Sequence, residues 1–179
     1  QDMRNMGGLK TKMPITYITM LISTLSICGV PFFSGFLSKD EIINSAFSFY
    51  SLNGGMSIIF PIIAFISAFI TALYMFRMIF MTFWVKPVNK EIHSHLHESD
   101  SFMRIPLIIL SALSFSFIFN LNPFNPEGWI FHSISVYENE SYHQESIHLY
   151  HDVHYEMKKN HTMVSIISVI LGFSGILMA

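Results

Sequence analysis

Hydrophobic residues fall into four long stretches separated by polar connections. A membrane helix needs about 20 mainly apolar residues to cross about 30 Å of hydrocarbon. The pattern therefore predicts an all-α membrane protein with about four transmembrane helices. The stretches cover 14–50, 56–85, 102–121 and 162–179, and the connections cover 1–13, 86–101 and 122–161. The chain begins at Gln1 without an initiator methionine or signal peptide and ends inside the last stretch, so we expect a C-terminal fragment of a longer chain, its last crossing truncated.

The first stretch is too long for one simple crossing, and its middle contains residues that break helices. Gly29 and Gly35 admit backbone angles that other residues avoid, and Pro31 lacks an amide donor. Ser38 and Glu41 have the spacing of a capping box, which predicts a second half-helix that starts at Ser38. We therefore expect a discontinuous transmembrane helix, which is a recurrent ion-site device in transporters.

Lys39 and Asp40 follow this break within the same apolar stretch. A charge inside a membrane costs roughly 2.5–3.5 kcal/mol on insertion scales, so such residues are candidates for function. A buried lysine beside a carboxylate can accept and release a proton as its neighbours change charge, which makes Lys39 a candidate proton carrier and Asp40 its partner. The alternative is that the crossing ends near Phe36 and the charges form an interfacial helix cap. The apolar residues on both sides favour burial.

Charge and composition exclude several classes of function. The chain has a net charge of −2, is 12% charged, and has no run of Lys or Arg of the kind that binds nucleic acid. Its one cysteine, Cys28, excludes a disulfide framework and a cysteine metal cage, and we expect it to be a packing residue. Under the positive-inside rule the basic residues place 1–13 and 86–101 in the cytoplasm and the acidic connection 122–161 outside.

Histidines in two groups are candidates for zinc or nickel ligands. The first group would share one side of an extended loop, and the second repeats every three residues. We favour a solvated loop for the first group and an amphipathic surface helix for the second. We therefore predict no metal, and the chain also lacks a phosphate-binding glycine loop. The groups are His93, His95 and His97, and His148, His151 and His154.

Several runs of this sequence resemble one known family. They resemble the antiporter-like subunit L, or chain five, of bacterial NADH–quinone oxidoreductase, which is respiratory complex I. The resemblance is specific over residues 1–121 and weak beyond them. The runs are Met6–Lys10, Gly29–Pro31, Phe33–Ile42, Thr71–Phe80 and His95–Ser99.

The resemblance implies an inverted-repeat fold in which each repeat contains a broken helix. It implies that Lys39 is the terminal proton-carrying residue of the outward half of a channel and that Asp40 supports it. Ser38, Glu41 and the residues of the break, Gly29, Pro31 and Gly35, would support the site. The chain would then form the exit end of a proton channel that is coupled to remote quinone reduction.

The resemblance also implies partners and a location. The whole complex would be an enzyme, whereas this chain would have no redox chemistry. NADH, FMN, iron–sulfur clusters and quinone would belong to other subunits. The expected partners are the other membrane subunits, especially the neighbouring antiporter-like subunit, and the lipid of the bacterial cytoplasmic (inner) membrane, which the chain would cross several times. Two alternatives stay open, a subunit of a multisubunit cation/proton antiporter and a structural module that translocates nothing. The transported ion, H⁺ or Na⁺, stays open too.

Overall fold

The computed structural model describes residues 6–87, 90–115 and 144–179, and it describes side chains within 6–87, 93–115 and 155–179. These parts are helical, and within them extended pairing is limited to an isolated bridge between Phe33 and Phe115. The predicted all-α class is confirmed. The helices are α1 (Pro14–Cys28), α2 (Ser34–Asn53), α3 (Ile59–Ile79), α4 (Lys90–His95), α5 (Ser101–Leu113) and α6 (Gln144–Met178).

The predicted break separates α1 from α2. Gly29 lies in the left-handed region with φ 74°, and its amide donates to the carbonyl of Ser26 at 3.0 Å. The amide of Val30 reaches the carbonyl of Leu25 at 3.1 Å, which completes a Schellman motif. Glycine suits this position because a side chain is disfavoured at positive φ. Phe32 also has a positive φ of 78°, so the chain reverses tightly before α2 begins.

The capping-box prediction at Ser38 is wrong. Helix α2 begins at Ser34, and no side chain of its N-cap residue, Phe33, caps it. The amides of its first turn are satisfied by groups distant in sequence: the amide of Ser34 donates to the carbonyl of Ser114 at 2.8 Å, and that of Gly35 donates to Oγ of Ser26 at 3.2 Å. A local cap four residues later is therefore unnecessary. These partners satisfy backbone amides at the break within the protein, as a membrane setting requires.

A tight turn and a long apolar helix follow α2. Gly54 and Gly55 have φ of 62° and 59°, and a short 3-10 turn over Gly55–Ile58 leads into α3. Helix α3 ends in a π-helical turn, Phe80–Trp84. The segments Gly55–Trp84 and Tyr155–Met178 are long and apolar enough to cross a membrane.

The end of the chain differs most from the sequence prediction. Residues 144–161 were expected in an outward loop, but Gln144–Met178 is one helix of 35 residues. The sequence from Gln144 to Leu171 contains no glycine or proline, so nothing interrupts the helix where the polar residues give way to apolar ones. Residues 122–143 lie outside the described part. Helix α5 ends at Leu113, short of the expected Leu121, because its C-terminus turns to pair with the start of α2.

The connection between α3 and α5 is not an extended loop either. His93 and His95 lie in the short helix α4, and His97 follows it. Because residues two apart in a helix point to different sides, the shared face that an extended loop would give is lost. The side chains of His148, His151 and His154 lie outside the described residues.

Helix α6 packs against both α2 and α3. It runs antiparallel to α2, since Asp40 contacts Ser165 while Asn44 contacts Met157. An apolar cluster of Ile43, Ala68 and Val164 joins the three helices. Close approach to α3 depends on a small residue, Gly175, where a Cβ would lie 2.7 Å from the carbonyl oxygen of Phe69. This bundle holds the start of α2 between α1 on one side and α6 on the other.

Candidate functional site

Lys39 lies in the second turn of α2 and extends along the break. Its stem passes over Gly29, where an added Cβ would lie 3.0 Å from Cδ of Lys39. Its Nζ atom is buried and has no hydrogen-bond partner among the described residues. The thiol of Cys28 is close enough to interact with it electrostatically. The Nζ atom of Lys39 is therefore buried at the helix break, while the residue as a whole is partly exposed.

Asp40 leaves α2 on a different side from Lys39, because successive residues of a helix diverge by about 100°. Its carboxylate accepts hydrogen bonds from Oγ of Ser165 at 2.5 Å and from Oγ of Ser168 at 3.3 Å. Nε2 of His161 lies 3.2 Å from Oδ2 of the same carboxylate. Within the described part of the chain, the partners of Asp40 are thus on α6, and the expected pairing with Lys39 is not formed.

Polar side chains continue along the face of α2 that carries Asp40. Asn44, one turn on, donates from Nδ2 to the carbonyl of Met157 at 3.0 Å, and Ser48 follows a further turn on and is fully buried. Neither Oδ1 of Asn44 nor Oγ of Ser48 has a hydrogen-bond partner among the described residues. Asp40, Asn44 and Ser48 therefore form a buried polar stripe that faces α6.

The remaining predicted site residues contribute to the backbone conformation around the break and not to proton transfer. Ser38 is exposed, and its Oγ donates to the carbonyl of Gly35 at 3.4 Å. Glu41 lies in the interior of α2 and does not cap it, since the helix starts at Ser34. Gly35 has ordinary helical geometry, so its role is close approach and not backbone strain: a Cβ there would lie 2.0 Å from the carbonyl oxygen of Ser26. Pro31 lies in the turn between the helices.

Glu98 is a functional anchor that the sequence prediction missed. Its carboxylate accepts hydrogen bonds from the amides of Ile15 and Thr16 at 3.0 Å and 3.3 Å and from the hydroxyl of Thr16 at 2.5 Å. It therefore caps the N-terminus of α1 from across the chain. Desolvation opposes ionisation, but the hydrogen bonds outweigh it, and with the charge of Arg104 they lower the pKa of Glu98 from its usual 4.5.

His161, Ser165 and Ser168 were also missed as site residues. The sequence prediction put His161 at the end of an outward loop and assigned the apolar residues after it to a truncated transmembrane helix. The available signal was their spacing, since residues four and then three apart share one helix face within an otherwise apolar run. Among the described residues, no group of three or more His, Cys, Asp or Glu side chains is arranged to hold a metal ion.

Comparison with known proteins places these features in a family context. Residues 1–71 match the family model described as NADH:quinone oxidoreductase/Mrp antiporter, transmembrane region. The chain is 44% identical over 150 residues to the chloroplastic NAD(P)H-quinone oxidoreductase subunit 5 of Chara vulgaris, covering 79% of this chain and 22% of that protein. It is 44% identical over 118 residues to NADH-ubiquinone oxidoreductase chain 5 of Aspergillus niger, covering 65% and 18%.

A bacterial relative gives the same picture. NADH-quinone oxidoreductase subunit L of Neisseria meningitidis serogroup A is 41% identical over 131 residues, which cover 64% of this chain and 19% of that protein. The resemblance to subunit L and chain 5 is thereby confirmed over part of the chain. The chain spans about a fifth of the length of the curated relatives it matches.

Proposed function

We propose that this chain forms the outward end of a proton channel in an antiporter-like membrane subunit of an NADH–quinone oxidoreductase. Lys39 would be the proton-carrying residue of that channel end. The coupling would be indirect: quinone is reduced elsewhere in the complex, and the resulting charge changes reach Lys39 along the membrane arm.

One observation carries this proposal, the buried Nζ atom of Lys39 at a helix break. An ammonium without a counter-charge in a low-dielectric site is destabilised by several kcal/mol. A small change in nearby charge then decides whether the amine is protonated. A lysine with a purely structural role would be expected to have a carboxylate partner, and the nearest candidate, Asp40, is engaged by α6 instead.

The relatives support the wider setting. Their names are those of subunits of NADH-dependent quinone oxidoreductases, so other membrane subunits, especially a neighbouring antiporter-like subunit, are the proposed partners. We assign NADH, FMN, iron–sulfur and quinone chemistry to those other subunits. A multi-pass location in a bacterial cytoplasmic membrane is proposed from the apolar spans and the bacterial relative.

The proposal is tested by Lys39→Ala in the full-length subunit, assembled in its complex and reconstituted in vesicles. We expect quinone-linked proton pumping per NADH oxidised to fall while the complex still assembles. Lys86→Ala is the matched control, because Lys86 is exposed and its backbone lies beside Gly7, before α1 begins. Unchanged pumping in Lys39→Ala would contradict the proposed role and favour a structural module.

The matching family also includes Mrp antiporters, which makes a cation/proton antiporter subunit the second candidate. The two differ in their energy source. Transport that requires Na⁺ and ignores quinone-site inhibitors would favour the antiporter, whereas transport that stops with those inhibitors would favour the oxidoreductase.

A further inference from the structure

A buried acid–imidazole pair joins α2 to α6 beside the candidate lysine. The side chains of Asp40 and His161 are 4% and 15% exposed, and 3.2 Å separates Oδ2 of the acid from Nε2 of the imidazole. Ser165 and Ser168 donate to the same carboxylate. Asp40 belongs to α2 and His161 to α6, so the pair forms only when α6 packs against α2.

The surroundings isolate the pair from other charges. The neighbouring cluster of Ile43, Ala68 and Val164 is apolar, so α3 contributes no titratable group from that side. Asn44, the next polar residue of α2 on this face, does not titrate, and Lys39 departs toward Gly29. Among the described residues, His161 is therefore the chargeable group in contact with Asp40.

Such a pair has two accessible charge states. With a neutral imidazole and an ionised acid it carries one negative charge, and with one further proton it is neutral overall. The charge of that further proton is compensated within the pair, because the imidazolium then faces the carboxylate. The serine hydroxyls hold the carboxylate in place in both states.

We propose that Asp40 and His161 form a second proton-holding site and that His161 is the carrier that follows Lys39 toward the outer surface. This inference rests on the proposed function. One proton leaves the Nζ ammonium of Lys39, which becomes a neutral amine, and reaches Nδ1 of His161 through water, because Nε2 keeps its own hydrogen and donates it to Oδ2 of Asp40. The imidazolium formed there is held by Asp40 and then returns the proton to water at the outer side.

The direction follows from the antiparallel packing. Helix α2 runs from the break to the Gly54 turn, and α6 runs the opposite way past it. His161 precedes Ser165 by one turn of α6, so it lies nearer the Gly54 end of the bundle. The positive-inside pattern puts that end outside.

The test replaces His161 in the full-length subunit of the assembled complex. His161→Gln can still hydrogen-bond to Asp40 but cannot carry a proton. We expect the rate of quinone-linked proton pumping to fall about tenfold or more, since a positioned proton-transfer group contributes about 10²–10⁴-fold in rate. Ser51→Ala is the matched control: it removes a hydrogen bond to Glu156 across the same α2–α6 interface, outside the candidate site, without removing a titratable group. It should keep most of the pumping.

A second variant separates proton transfer from packing. His161→Lys keeps a titratable group, so we expect part of the pumping to return, with its pH profile displaced to higher pH because lysine holds its proton more tightly than histidine. Equal losses in His161→Gln, His161→Lys and Ser51→Ala would overturn the inference, because His161 would then act only in packing.

The outcomes also distinguish this inference from the function on which it rests. Pumping lost in Lys39→Ala but intact in His161→Gln would overturn the second site and leave the proposed function standing. Pumping intact in Lys39→Ala but lost in His161→Gln would overturn Lys39 as the carrier and with it the transfer from Lys39 to His161, and would leave the acid–imidazole pair as a proton-holding site.

Discussion

The amide nitrogen of Gly35 donates a hydrogen bond to Oγ of Ser26 across 3.2 Å, and this contact fixes the start of α2 against the end of α1. The approach is so close that a Cβ on Gly35 would lie 2.0 Å from the carbonyl oxygen of Ser26. The helix break is therefore a built contact between two helix ends and not a loose linker. Its geometry sets where the following residues, Lys39 and Asp40, are presented.

Gly35→Ala should destabilise the subunit. The methyl group would meet backbone, which cannot rotate away, and overpacking of this kind costs about 1–3 kcal/mol. We expect a lower thermal unfolding temperature of the purified complex in detergent. Ser34→Ala is the control at the adjacent position, because it keeps the bond from Gly35 to Ser26. Equal stability of the two variants would mean that the helix ends separate easily.

Gly29→Ala should impair proton pumping beyond its cost in stability. Gly29 has φ 74° and contacts the stem of Lys39, so the methyl group would displace that side chain. Gly54→Ala is the matched control, because Gly54 also has a positive φ, 62°, but nothing lies within 4 Å of its added Cβ. Both substitutions carry a backbone cost of about 1 kcal/mol. We expect the ratio of protons pumped to NADH oxidised to fall in Gly29→Ala alone, and an equal ratio in both would show that the position of Lys39 is not set by this contact.

Glu98→Gln should weaken the contact between the N-terminus of α1 and the connection between α3 and α5, in which Glu98 lies. The carboxylate serves as a remote N-cap for α1, and loss of such a cap costs about 1 kcal/mol. Hydrogen exchange of the amides of Ile15 and Thr16 should quicken. Asp100→Asn is the control, since Asp100 makes no side-chain capping bond at the start of α5. Unchanged exchange at α1 in Glu98→Gln would show that the cap is dispensable.

The same cap predicts a pH dependence. Because folding lowers the pKa of Glu98 from its usual 4.5, the folded state favours the ionised acid. The stabilisation is fully present above the unfolded pKa and is lost as the pH falls through the lowered value. Protection of the α1 amides should therefore be constant from neutral pH down to about 4.5 and weaken below it. In Glu98→Gln this acid-dependent change should disappear, and its persistence would point to another group.

Gly175→Ala should displace α6 from α3. The added Cβ would lie 2.7 Å from the carbonyl oxygen of Phe69 and 2.9 Å from Cβ of Ala72. Gly172→Ala, on the same helix, is the control, because its Cβ would lie 3.7 Å from the carbonyl oxygen of Cys28, an ordinary contact. We expect Gly175→Ala to accelerate proteolysis of the detergent-solubilised subunit within α6 and Gly172→Ala to leave it unchanged. Equal rates would indicate that the α3–α6 contact adjusts without cost.

Local chemistry allowed the break to be predicted. A glycine at the end of an apolar helix and a proline two residues later stop that helix whatever surrounds it, because they act on backbone angles and donors. The start of α2 was misplaced because its capping partners, Ser26 and Ser114, come from other helices. A local pattern such as Ser38 with Glu41 cannot reveal that residues distant in sequence already accept the hydrogen bonds of the first amides of α2.

By itself the sequence determined that this is a helical membrane chain with a lysine at a helix break, because hydrophobicity, glycine and proline act locally. Only the tertiary structure decided what that lysine and its neighbour contact. Asp40 and Ser165 are separated by 125 residues, and they meet because small and apolar residues dock α6 between α2 and α3. Adjacent side chains of a helix point in different directions, so Lys39 lies along the break and Asp40 contacts α6. The packing of side chains, which no local pattern encodes, determined these separate contacts of Lys39 and Asp40.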